Sequence, residues 1–249
     1  DTGASLLDRM LGPNARVAII GSDSLHLQLQ LSQGKLSSLS DYVSKSIFNS
    51  PGLLSGAPKL FEVIRELPLT HGDEVRAAVQ LARSIRRDSD VRLIHARNAS
   101  MNTFEWGGDF VLLGGRRANP WAALFEKDLQ FEMVYPNANA NGIFRNVAPR
   151  SGEQAEYYAH AKDAQNGVAY GRVAILPGLY GNGKVMLVAG NTGESTFAAS
   201  EFLSRPRGLR EVETLLGRKV DENISRLEVL LETATVAGST RDYRIVAIR

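Results

Sequence analysis

The stretch RVAIIGSDS, residues 16–24, decides how this chain is read. Its apolar run does not alternate and stops at Gly21, as expected of a short strand buried on both faces. Working outward, SLSDYVSKSIF (38–48) sets Leu39, Val43 and Ile47 four apart with serines available as caps, which predicts a short helix. SPGLLSGAPK (50–59) reads as a loop. LTHGDEVRAAVQLARSIRR (69–87) is the clearest helix. Thr70 and Asp73 have capping-box spacing, and Val75, Val79, Ala82 and Ile85 form its expected buried stripe. Arg83, Arg86 and Arg87 fall on its outer face. VRLIHA (91–96) and DFVLLGG (109–115) are two further strands, and Pro120 after Asn119 opens another helix.

Strands alternating with helices predict an α/β fold with a mostly parallel sheet covered on both faces, a three-layer Rossmann-like arrangement. LQFEMVY (129–135), GIFRNVAP (142–149), the tyrosine-rich stretch 156–161, VAYGRVAILPG (168–178) and GKVMLVAG (183–190) read as antiparallel hairpins. They suggest a β-rich insert at about 128–183 within one α/β domain spanning 1–249. GNTGESTFAASEFL (190–203) and LREVETLLGR (209–218) follow as helices, then RLEVLLETATV (226–236) and YRIVAIR (243–249) as closing strands.

Composition narrows the chemistry. The 249 residues lack cysteine, which excludes disulfide scaffolds, thiolate-held zinc, iron–sulfur clusters and thiol catalysis. The 29 Lys+Arg against 27 Asp+Glu leave a charge of +2, too balanced to advertise nucleic acid. Arg205, Arg207 and Arg210 lack interleaved aromatics and read as a solvated face. No apolar run approaches the length of a membrane span.

GLYGNGKV (178–185) matches the phosphate-loop pattern. Val185 replaces the magnesium-binding hydroxyl, and a strand, not a helix, is expected after Lys184. A turn between strands explains it better. The pattern GxGxxG is missing after the first strand, which argues against a standard dinucleotide fold. His26, His71, His95 and His160 are scattered without metal-ligand spacing, so no cofactor or metal is expected.

AGNTGESTFAASEF (189–202) is a stronger candidate, because a strand runs through a glycine turn into a helix. Gly190 and Gly193 permit tight backbone, and Thr192, Ser195 and Thr196 surround a helix start receptive to an anion. LLGGRRANPW (112–121) repeats the design with Gly114, Gly115, Arg116, Arg117, Asn119 and Trp121. The turn after the first strand adds Ser22 and Asp23, the latter first as a helix cap. Together these predict a crevice at the carboxyl ends of the strands that binds a small anionic molecule without catalysis. Two other readings stay open. One is a hydrolase or transferase using Asp23, His95 or Ser195. The other is a protein-interaction module presenting Tyr157, Tyr158 and the hairpins.

The segments 16–48, 109–133, 144–158 and 184–203 resemble an uncharacterised domain common in acidobacterial proteins. GGRRANPW (114–121) and GNTGESTFAASEFL (190–203) are the most specific parts, and the likeness spans nearly the whole chain. In that family the domain often lies C-terminal to a winged-helix DNA-binding domain, with a membrane segment between. The resemblance implies the sensing half of a regulator, outside the cytoplasm, with residue 1 following a membrane segment. It implies no activity, cofactor, catalytic residue or oligomeric state.

Overall fold

The computed structural model describes residues 3–49, 55–163, 166–236 and 239–249. The chain runs α1 (Leu6–Met10), β1 (Arg16–Gly21), α2 (Ser24–Gln33), α3 (Leu39–Val43), α4 (Pro58–Glu66), α5 (Gly72–Ser84), β2 (Asp90–His95), α6 (Met101–Phe104) and β3 (Asp109–Leu113). It continues through β4 (Phe131–Val134), β5 (Ile143–Asn146), β6 (Glu156–Tyr158), β7 (His160–Ala161), β8 (Asn166–Pro177) and β9 (Lys184–Gly190). It closes with α7 (Gly193–Ser204), α8 (Pro206–Leu216), β10 (Leu227–Val236) and β11 (Ser239–Ile248).

The fold is mixed α/β. In the main sheet, β2, β1, β3 and β9 lie side by side and parallel, with β1 at the centre of the first three. Strands β8, β10 and β11 extend this sheet antiparallel beyond β9, and β7 pairs with the start of β8.

The apolar run of β1 is explained by its two-sided burial. Val17 and Ile19 enter one core with Leu6, Ala77, Leu81 and Phe202. Ala18 and Ile20 enter the opposite core with Leu25, Tyr42, Phe104 and Trp121. β3 and β9 divide their side chains the same way, Val111 and Val188 to the first core and Leu112 and Leu187 to the second. A one-residue slip in register would exchange every contact, so the pairing is strongly fixed.

Strands β4, β5 and β6 form a separate antiparallel sheet. It packs through Phe131, Phe144 and Tyr157 against Tyr170, Ala189 and Leu230 of the large sheet. The expected insert at 128–183 is thus redistributed. β8 belongs to the main sheet, hydrogen-bonded between β9 and β10, because its side chains fill both adjoining cores. The small sheet is held down by two buried charges. Glu228 accepts from the N–H groups of Gln130 (2.7 Å) and Phe131 (3.0 Å), while Arg172 Nη1 donates to the Phe131 carbonyl (2.6 Å).

Several local expectations change. The stripe of α5 that is buried is Glu74, Ala77 and Leu81, continued by Ile85, whereas Val75 is 49% and Val79 38% exposed. The Thr70–Asp73 box does not form. His71 is the N-cap and gives no side-chain bond, because the Thr70 hydroxyl donates to the Ser22 carbonyl instead (3.2 Å). The helix expected across 38–48 breaks after Val43, itself exposed, and resumes as a 3-10 turn that buries Ile47 and Phe48. Of the loop expected over 50–59, residues 50–54 lie outside the described residues, and Pro58 opens α4. The segment from Asn119 forms a 3-10 turn, Pro120–Leu124, rather than an α-helix. After Lys184 the chain is strand β9, so the phosphate-loop match falls in a hairpin turn.

Asn119 deserves a quantitative check, since its buried Nδ2 donates to the carbonyls of both Ile20 and Leu113 (3.0 Å each). Asn119→Ala is expected to lose about 1–3 kcal/mol of stability in urea unfolding, the cost of leaving buried carbonyls unpaired. A loss under about 0.5 kcal/mol would show that the bridge is not needed.

Candidate functional site

In the parallel part of the sheet the chain passes from β1 to β2 and then back to β3 on the other side of β1. The turns after β1 and β3 therefore diverge, which opens a crevice at the carboxyl ends of the strands. A cavity of about 330 Å³ lies there. The β3, β9 and α5 ends all reach it, contributing Gly114 and Gly115, Gly190 to Gly193, and His71, Asp73 and Glu74 respectively. Met133, Tyr135 and Gly142 from the small-sheet region close another side.

The two expected glycine turns thus share one edge. Gly114, Gly115, Arg117, Gly190, Thr192, Gly193 and Thr196 line the cavity. The other expected site residues do not line it. Ser22 is fully buried, its N–H and hydroxyl both donating to Glu74. Asp23 caps α2 by accepting from the N–H groups of Leu25 and His26, and it is gripped by the Arg97 fork at 2.6 and 2.8 Å. Asn119 is occupied by the two strand carbonyls, and Trp121 sits in the second core with its Nε1 donating to Ala96 O (2.8 Å). Ser195 is buried within the α7 cap, bonded to Thr192. Arg116 points to Glu126 (3.4 Å).

The acid, base and nucleophile of the hydrolase reading are not brought together. His95 Nε2 meets the Leu69 carbonyl (3.0 Å), and among the described residues no hydrogen bond joins any two of Asp23, His95 and Ser195. His26 is buried against Tyr42 and Ser37, and burial pushes its pKa down to about 4, so it is neutral at pH 7. Among the described residues no group of three His, Asp or Glu side chains could hold a metal. Tyr157 is buried in the small-sheet core and Tyr158 is exposed, so the pair does not present one surface.

Close approach of backbone explains the glycines. Gly114 has φ +91°, and a Cβ there would lie 3.0 Å from a Glu74 carboxylate oxygen. At Gly190 a Cβ would lie 2.2 Å from Ser195 Oγ, so the β9–α7 turn closes only with glycine.

Two residues were not anticipated. Glu74 is 6% exposed and lies in the first turn of α5, where its burial pushes the carboxyl up to about 7 despite the Ser22 bonds. The DE pair after a helix start reads in sequence as ordinary dipole compensation, which hides it. Asn191, also 6% exposed, pairs with Tyr170 like a strand residue: its N–H donates to Tyr170 O (3.0 Å) and its Oδ1 accepts from Tyr170 N–H (2.9 Å). That fixes the amide orientation and leaves Nδ2 buried with no partner among the described residues, on a residue that lines the cavity.

Electrostatically the crevice is mixed. The α5 and α7 N-termini both meet it. Arg117 is half-buried, its Nη1 shared between the carbonyls of Ala138 (2.8 Å) and Ala140 (2.6 Å) and its plane 4.6 Å from the Tyr135 ring. Against these stand the carboxylates of Asp73, Glu74 and Glu194.

Comparison with family models, with curated proteins and with solved structures yields no match.

The Glu74 carboxyl gives a signed pH prediction. Its folded pKa lies above the unfolded one, so the native state holds more protons between about pH 4.5 and 7 and loses stability as pH rises through that window. Relative to Glu74→Gln, the wild type is expected to lose melting temperature from pH 5 to pH 8. Parallel curves for the two proteins would show that Glu74 titrates normally.

Proposed function

We propose that the crevice is a binding site for a small molecule carrying an anionic group, and that the protein acts by binding rather than by catalysis. The observation that carries this reading is Asn191, a residue lining the cavity whose buried Nδ2 has no hydrogen-bond partner among the described residues. A buried unpaired donor costs about 1–3 kcal/mol, so a site that keeps one is built for an incoming acceptor. The N-terminus of α7, two residues further on, favours that acceptor being negative. Taken as a three-layer, Rossmann-like arrangement, the mixed α/β fold would bind its ligand at the strand-order switch, which supports this reading. The volume suits a single small metabolite, since ligand pockets run from about 300 to 1,000 Å³.

The family resemblance extends this to a sensing role, with the domain as the extracytoplasmic half of a larger regulator. A ligand bridging α5, α7 and the small-sheet residues Met133 and Tyr135 would favour one arrangement of that sheet on the large one. Direct binding of nucleic acid or insertion into a membrane by this chain is not part of the proposal. Consistent with the latter, no helix among the described residues is long and apolar enough to cross a bilayer.

One observation favours a second reading, a hydrolase or transferase. Glu74, with its carboxyl poised near neutrality in the cavity wall, has the properties of a general base. Turnover of an activated ester that Glu74→Gln abolishes would support it.

Thermal-shift titration with acetate, succinate and inorganic phosphate tests the main proposal. At least one is expected to raise the melting temperature, because a ligand bound only by the folded state must stabilise it. Asn191→Asp, which keeps the acceptor for Tyr170 and replaces the free donor, is expected to remove the shift. Equal shifts in both proteins would overturn the assignment of this crevice.

A further inference from the structure

A simple anion does not account for the whole crevice. Its wall carries three carboxylates, and the environments of two leave them open to a ligand. Glu194 is half-buried and has no hydrogen-bond or ion-pair partner among the described residues. Glu74 has one oxygen held by Ser22, while the other faces the Gly114 backbone at the crevice floor. Asp73 is committed to Arg76 (3.3 Å) and lies against Gly193. An anion alone would satisfy Asn191 and the helix ends but would sit among these acids unpaired. A cation alone would satisfy the acids but would face the Asn191 donor, two helix N-termini and Arg117.

Resting on the reading of the crevice given above, we propose that its ligand is a zwitterion of the α-amino-acid class. The carboxylate is received by Asn191 Nδ2 and the α7 N-terminus, and the ammonium by the carboxylates of Glu74 and Glu194. Three features support this pairing of charges. Donors and acceptors face one cavity of only about 330 Å³, too small for two separate ligands of ordinary size. Arg117 has its Nη1 committed to two carbonyls, which takes up one arm of the fork that usually meets a phosphate or dicarboxylate. Leu27 and Met133 supply apolar wall for a side chain, beyond what a bare ion would use.

The test is calorimetric titration of the full chain with each standard L-amino acid, then with the N-acetyl and carboxamide derivatives of any that bind. At least one amino acid is expected to bind, and each derivative, lacking one charge, is expected to bind at least about tenfold more weakly. Glu194→Gln, at a side chain with no structural partner, is expected to weaken the amino acid at least about tenfold while leaving the melting temperature unchanged. Asn191→Asp is expected to weaken the amino acid by a similar factor from the carboxylate side. An N-acetyl derivative that binds as tightly as its parent would overturn the ammonium assignment, and an equally tight carboxamide would overturn the carboxylate one. If phosphate or succinate binds in an Asn191-dependent manner and no amino acid does, the zwitterion is wrong and the crevice stands. If none of these probes binds, both fail.

Discussion

The carboxamide of Asn119 joins the carboxyl ends of the two central strands, and most of the molecule's working edge follows from that link. Its Nδ2 reaches Ile20 O at the end of β1 and Leu113 O at the end of β3, where a reversal in strand order would otherwise leave both carbonyls turned into a gap. The loop that carries it is tied on every side. Asp23 N–H donates to Ala118 O, Gly114 N–H donates to Val188 O of β9, and the amides of Ala118 and Asn119 both return to Gly115 O. Segment 114–119 is thus a clasp across three strand ends. The crevice is the space that the clasp cannot fill.

This clasp explains why the segment GGRRANPW has the residues it has. Gly114 adopts a positive φ beneath Glu74, and a Cβ on Gly115 would strike Met133 and Tyr135. Asn119 bridges, Pro120 starts the 3-10 turn, and Trp121 anchors the far side to Ala96. Of the two arginines, Arg117 secures the 138–140 segment and Arg116 pairs with Glu126. These side chains build the edge, and the cavity is lined by the backbone of this segment and by its neighbours.

The framework was legible because it rests on short-range rules. RVAIIG and DFVLLG could be read as strands since two-sided burial demands unbroken apolar runs, and the strand–glycine–helix pattern at 184–204 is local. The errors arise where a distant partner decides. Val75 and Val79 make a convincing apolar stripe, yet α5 turns Glu74 inward because Ser22, 52 residues earlier, supplies its hydrogen bonds. Asp23 looked available to a ligand until Arg97 was brought against it by the β2 crossing. β8 looked like part of an excursion because nothing local says that β10, some 60 residues on, will lie beside it. Asn191 carried no signal at all: its importance lies in a donor left over after Tyr170 has used the rest of the amide.

These displaced expectations share a physical cause that bears on what the edge can do. A serine, an acid and an asparagine sit beyond the strand ends, and all three are used in closing the structure: Ser22 on Glu74, Asp23 on Arg97, Asn119 on two carbonyls. Each of these three is buried and held by its partner. Among the described residues that line the cavity, the second oxygen of Glu74, the Nδ2 of Asn191 and Glu194 at the start of α7 are left over. The scaffold immobilises Glu74 and Asn191 through their other atoms, so their free atoms are already positioned before any ligand arrives. Pre-organisation of this kind would lower the ordering cost of binding at the proposed site, which rests on three groups where the sequence offered thirteen candidates.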